Sequence, residues 1–166
     1  LALDLGCGTG RYFHCLENVD RLVGVDVSLP MLREARRPVN DEDISVGSVN
    51  LVCANLLELA SPARGFDLIY SIGVLGEHSP FDLTVCDRLY RLLNGGGKLL
   101  LTVADSASRS SLKMTKTAVA RVISPLLPAS YRVRFEGRWR RFSMSEAQVM
   151  AVLRASEFVK YEVVRQ

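Results

Sequence analysis

Three alternate glycines stand directly behind an alternating apolar run, in Leu3-Asp4-Leu5-Gly6-Cys7-Gly8-Thr9-Gly10. Leu1, Leu3 and Leu5 alternate with Ala2 and Asp4, the period of a short strand entering a buried sheet. The glycines keep side chains out of the turn that follows, so backbone can approach a ligand there. Tyr12, Phe13, Leu16 and Val19 then recur at helical spacing. A helix is therefore expected after the turn, with the unpaired N–H groups of its first turn aimed at the ligand. Strand, glycine turn and helix together make a ligand cradle.

Two cofactor classes use such a cradle. A dinucleotide fold requires G-x-G-x-x-G with the pyrophosphate on the helix N-terminus. Its third glycine would fall at residue 11, which is Arg11. The pattern present is G-x-G-x-G with Asp4 ahead of it, and an acid there suits a ligand carrying an ammonium and a sulfonium. The arrangement resembles motif I of the class I S-adenosylmethionine-dependent methyltransferases. Asp26 follows Arg21–Val25, expected as the second strand, about 20 residues after the turn, where a ribose would lie. That feature alone fits NAD as well as S-adenosylmethionine. As a strand-end acid, Asp26 is expected to lie outside the core, so that its loss leaves the fold intact.

Further segments carry the resemblance. Phe66-Asp67-Leu68-Ile69-Tyr70-Ser71 is expected as the fourth strand and resembles the family's second signature. Leu93-Asn94-Gly95-Gly96-Gly97-Lys98-Leu99 is similar to the family's L-x-P-G-G-x-L strand entry, with Asn94 where Pro is common. The resemblance implies a Rossmann-like three-layer α/β sandwich with a mostly parallel, doubly wound sheet. It implies S-adenosylmethionine as cofactor, held by Asp4, Gly6, Cys7, Gly8 and Gly10 at the methionine end and by Asp26 at the ribose. Val27 and Asn55 would flank adenine, and Leu56 and Ser71 complete the expected cofactor set. His78, beside Glu77 after the fourth strand, is the candidate general base, since imidazole titrates near neutrality. No metal is expected.

The remaining elements read as follows. Val49 to Cys53 is the third strand, after a polar surface loop over 39–48. Leu29, Leu32 and Ala35 form the stripe of a helix capped by Ser28. Ser79-Pro80-Phe81-Asp82 reads as a helix start with Ser79 as cap, and Val85, Leu89 and Leu92 as its buried stripe. Asn94 to Gly97 should end that helix, and Leu99 to Val103 should be a fully buried strand. Ser143 and Glu146 have capping-box spacing before a helix with Val149, Met150 and Leu153 inward. Phe158 to Val164 alternates as a last strand.

At 166 residues the chain is expected to be one domain. It divides into a cofactor-binding core (1–104), a lid or acceptor insertion (105–142) and a last helix and strand (143–166). Compared with the family it reads as trimmed at both ends. The net charge of +3 is uneven: residues 1–104 hold nine Lys/Arg against thirteen Asp/Glu, and residues 105–166 hold twelve against five. The basic segment, with Tyr131, Phe135 and Trp139 among Arg132, Arg134 and Arg138, suits an anionic small-molecule acceptor. RNA is the second reading, without a recognisable RNA-binding motif to support it. A non-catalytic binding module and an NAD-dependent oxidoreductase are also open at this point. Cys7, Cys15, Cys53 and Cys86 have no C-x-x-C spacing, so reduced thiols in the cytoplasm are expected. No apolar run approaches the roughly 18 residues of a membrane span.

Overall fold

The computed structural model describes residues 1–39, 41–56, 59, 64–106 and 142–164. Five parallel strands form one sheet in the order β3-β2-β1-β4-β5, where β1 is Ala2–Leu5, β2 Arg21–Asp26, β3 Ser48–Cys53, β4 Phe66–Ser71 and β5 Leu93–Leu101. The chain builds outward from β1 to β3, then returns to add β4 and β5 on the other side of β1. The strand order therefore reverses between β1 and β4, and in such sheets ligands bind outside the carboxyl ends of the strands at the reversal.

Alternation along β1 divides the core into two layers. Leu3 and Leu5 face one side with Val25 and Ile69, packed on Val85, Cys86, Leu89 and Leu92 of helix α2 (Leu83–Leu92). Val149, Val152 and Leu153 of helix α3 (Glu146–Ala155) join this layer, and Phe158 stands edge-on to Tyr90 with ring centres 5.2 Å apart. Ala2 faces the other side with Leu22 and Tyr70, covered by Phe13 and by Leu32 and Ala35 of helix α1 (Leu29–Ala35). This is the three-layer sandwich expected.

Several local expectations are corrected. After the glycine turn there is only a short 3-10 turn, Phe13–Cys15, and no α-helix. Asn18 adopts φ 57°, and Leu16 and Val19 reach the core from irregular backbone. Leu29 is half exposed rather than part of the α1 stripe, and Ser28 makes no side-chain cap there. Helix α2 is capped by Asp82, whose carboxylate accepts from Val85 N at 3.0 Å. Ser79 cannot serve as that cap, because its backbone closes the preceding turn: Ser79 N donates to Val74 O, and its carbonyl accepts from Gly76 N. Helix α3 starts two residues later than the Ser143 spacing suggests, with a capping box between Ser145 and Gln148.

The β5 strand is also not fully buried, since Leu100 is 57% exposed. Its glycines do not simply end α2. The pairing with β4 jumps from Phe66↔Leu93 to Leu68↔Lys98, so Asn94–Gly97 bulge out of the ladder. Residues 158–164 form no strand, and Val159 is 93% exposed. The expected lid at 105–142 lies almost entirely outside the described residues.

Candidate functional site

The glycine turn is built by folding back over the end of β2. Gly6 N and Cys7 N both donate to Val25 O, at 2.7 and 3.0 Å, and Gly10 N returns to Cys7 O. Gly6, Gly8 and Gly10 all have φ between +55° and +78°, where a side chain strains the backbone. The space in front of them differs. A Cβ on Gly6 would come to 2.3 Å from Val74 Cγ2, whereas a Cβ on Gly8 would meet nothing within 4 Å. Gly6 therefore lets the turn dock on the loop after β4, and Gly8 keeps an approach open. Gly6→Ala is expected to lower the melting temperature well beyond Gly8→Ala, whose cost is the backbone term of about 1 kcal/mol. Gly8→Ala should instead act on ligand affinity. Thermal melts and calorimetric titration of both variants check this split.

Asp26 ties the carboxyl edge together. Its Oδ2 accepts from Gly8 N at 2.9 Å, and its Oδ1 accepts from Ser28 N at 2.8 Å. A carboxylate has about four lone-pair sites, so each oxygen retains capacity for one more donor. Asp26 also pairs in register with Cys53, and Ala54 N donates to Asp26 O, which brings the end of β3 alongside. Val27, 71% exposed, and the exposed Asn55 flank this edge.

Asp4 lies beneath the turn, 2% exposed. Its Oδ2 is buried without a hydrogen-bond partner among the described residues. Burial pushes its carboxyl up to about 7; the Tyr70 hydroxyl pulls the other way, and the charge of Asp26 adds to the rise. Cys7 is pushed up to about 12 by burial and by Asp4 and Asp26, so its thiol stays protonated and inert.

The structure thus brings together Asp4, Gly6, Cys7, Gly8, Gly10, Asp26, Val27 and Asn55. Leu56 and Ser71 are turned into the fold: Leu56 is in the core, and Ser71 Oγ donates to Leu5 O at 2.8 Å. His78 is exposed, its N–H closes a turn on Val74 O, and its ring has no hydrogen-bond partner among the described residues. A surface hollow lined by Arg33, Arg36 and Arg37 reaches the turn only at Thr9, so the site rests on the turn and Asp26 rather than on a closed cavity. Sequence reasoning does not single out Tyr70. The signal for it is the register, since Tyr70 pairs with Asp4 across β1 and β4.

Residues 2–97 match the family model described as the methyltransferase domain. The chain belongs to that family, as a class I S-adenosylmethionine-dependent methyltransferase domain. Among its relatives is a demethylmenaquinone methyltransferase of Oceanobacillus iheyensis, 31% identical over 103 residues, 60% of this chain and 42% of that protein. Another is named probable tRNA methyltransferase 9B of Bos taurus, 35% identical over 105 residues, 62% of this chain and 21% of that protein. The solved phosphoethanolamine N-methyltransferase 2 of Haemonchus contortus, with S-adenosylhomocysteine bound, shares the fold at a TM-score of 0.67 and 21% identity, covering 95% of this chain and 33% of that one. The chain spans about half or less of the length of the curated relatives it matches. Among the described residues no helix is long and apolar enough to cross a membrane, and no metal-binding cluster of His, Cys, Asp and Glu is present.

Proposed function

We propose that this domain transfers the methyl group of S-adenosylmethionine to a nucleophilic O, N, C or S atom of a small-molecule acceptor. The observation that carries the reading is the open, Asp26-clamped glycine turn above a buried acid with an unsatisfied oxygen. The cofactor supplies an electrophilic methyl on a sulfonium. Asp4 offers its unpartnered Oδ2 to the ammonium at the methionine end, with Gly6, Gly8 and Gly10 giving close backbone approach and Cys7 packing below. Asp26 accepts from the ribose hydroxyls on its remaining lone pairs, and Val27 and Asn55 border adenine. Leu56 and Ser71 hold the floor of the edge in place.

The chain's contribution to rate is alignment in a dry site, with the acceptor atom and methyl held roughly 3–3.5 Å apart. A base is needed only where the acceptor must lose a proton before attack, and His78 would have to turn inward to serve as one. The 105–142 segment is proposed as the acceptor-facing lid. Its flanks support this. Ser106 N donates to Met144 O, Met144 N to Ala104 O, and Phe142 N to Glu77 O, so both ends are pinned beside the loop after β4.

The relatives reported above are named for demethylmenaquinone and for tRNA, and the structural neighbour for phosphoethanolamine. Family membership therefore leaves the acceptor open, and the small-molecule choice rests on the absence of a recognisable RNA-binding motif in the basic segment. Calorimetric titration should show S-adenosylhomocysteine bound and NAD not. NAD bound equally well would sink the reading, and ligand-dependent methylation of total RNA would replace the small-molecule acceptor with a nucleic acid.

A further inference from the structure

We propose that Tyr70 is a positioning residue for the cofactor's cationic end, acting through Asp4: its buried hydroxyl orients the Asp4 carboxylate toward the ligand.

The two residues are register partners on β1 and β4, so both side chains leave the same face of the sheet, at the place where the strand order reverses. Asp4 is 2% exposed and Tyr70 3%. Asp4 Oδ2 and Tyr70 Oη are both buried without a hydrogen-bond partner. A buried phenol ordinarily finds a partner, and leaving one unmade costs the desolvation of the group. Two such atoms, carried by register partners on neighbouring strands below a ligand turn, are accounted for if they act on one another and on a ligand. The phenol can donate to the carboxylate, which keeps lone pairs for an ammonium.

The titratable groups that bear on the pair come from every element around it. Cys7 in the turn, Asp26 at the end of β2 and Cys15 in the 3-10 turn join Asp4 and Tyr70, and none of them is a cation. Asp26 opposes a charge on Asp4, and Cys7 stays neutral. Among these groups the phenol is the one that favours the ionised carboxyl. Burial has already brought Asp4 to about 7, so a small change there alters its charge at neutral pH. Tyr70 is itself pushed well above the ordinary tyrosine range, by burial first and then by Asp4, so it stays a proton donor throughout.

This rests on the reading that Asp4 meets the ammonium of an S-adenosyl ligand, and the test separates the two. The variant is Tyr70→Phe, which keeps the ring and removes only the hydroxyl. In the ligand-free protein, carboxyl carbon NMR, with Asp4→Asn to assign the signal, should show the Asp4 midpoint higher by about one on the pH scale in Tyr70→Phe. Calorimetry with S-adenosylhomocysteine should then show affinity reduced about fivefold at pH 7, by a larger factor at lower pH, and recovering by pH 8.5. An unchanged Asp4 midpoint overturns the role of Tyr70 whatever the ligand does. An equal loss of affinity at every pH also overturns it, since that pattern marks a packing role. A shifted midpoint without binding at any pH leaves Tyr70 acting on Asp4 but removes its cofactor role, together with the reading on which that rests.

Discussion

Asp4→Asn is expected to make the ligand-free protein more stable above pH 7 while weakening S-adenosylhomocysteine binding by about ten- to a hundredfold, the scale of a hydrogen bond to a charged group. The sign follows from linkage. The folded Asp4 carboxyl sits near 7, whereas an exposed one titrates near the ordinary carboxylate value of about 4. Below pH 4 both states are protonated and the residue costs nothing. Between pH 4 and 7 the unfolded chain releases a proton that the folded chain retains, so stability falls as pH rises. Above 7 the folded protein carries a buried charge at full cost, about 2–4 kcal/mol. Asparagine avoids that cost because it never ionises. Urea unfolding of both proteins at pH 4.5 and pH 8 measures it. The variant should gain stability mainly at the higher pH, and an equal effect at both would mean that folding does not raise the Asp4 carboxyl above its ordinary range. A destabilising group retained beneath a turn is what a binding role requires.

The same contrast between local pattern and assembled geometry decides what can be read from the chain. Four strands are legible to within a residue because alternation reports burial on a sheet directly: Phe66–Ser71 is expected and found unchanged, and β2 extends only to include Asp26. The glycine turn is legible because few residue types tolerate those backbone angles, and Asp26 because an acid directly behind an apolar strand run stands out. The helix after the turn is not. Tyr12, Phe13, Leu16 and Val19 have the right spacing, but only ten residues separate Gly10 from Arg21, and Asn18 at φ 57° breaks the path. Phe13 still reaches the core, which is what the apolar spacing records.

Cap positions fail for a related reason. Ser79 and Ser143 both carry plausible helix starts, yet the backbone of Ser79 is used in the turn after β4, and Ser145 with Gln148 makes the box that forms. Spacing identifies candidate caps, and the path of the preceding loop selects among them. The expected last strand fails because alternation over Phe158–Val164 predicts a strand only where a neighbour offers hydrogen bonds. No such pairing forms among the described residues. Tyr70 escapes notice in the sequence because a tyrosine in a strand has no signature of its own; its meaning comes from standing opposite Asp4.

Asp26→Ala is expected to damage both the fold and the ligand site, against the expectation that a strand-end acid can be lost without structural cost. The carboxylate holds two backbone N–H groups, Gly8 at 2.9 Å and Ser28 at 2.8 Å, and so joins the turn after β1 to the start of α1. Hydrogen bonds to charged groups contribute about 1.5–3 kcal/mol each, and partial exposure of Asp26 reduces this, so a loss of about 2 kcal/mol for the pair is expected in urea unfolding. Ligand affinity should fall more steeply than that loss alone implies. The proposed ribose contacts go with the carboxylate, and the Gly8 backbone loses the anchor that sets its approach. A fall of about a hundredfold in calorimetric affinity for S-adenosylhomocysteine follows from losing about 2.7 kcal/mol. Asp26→Asn separates the two roles. It keeps the shape and one acceptor oxygen, but its amide nitrogen would face an N–H donor, so the clamp cannot close on both sides. The Asn variant should therefore recover part of the stability lost in Asp26→Ala and little of the affinity. If it recovered full affinity, the carboxylate charge would have no part in holding the ribose, and the contact would be made by the backbone of the turn instead.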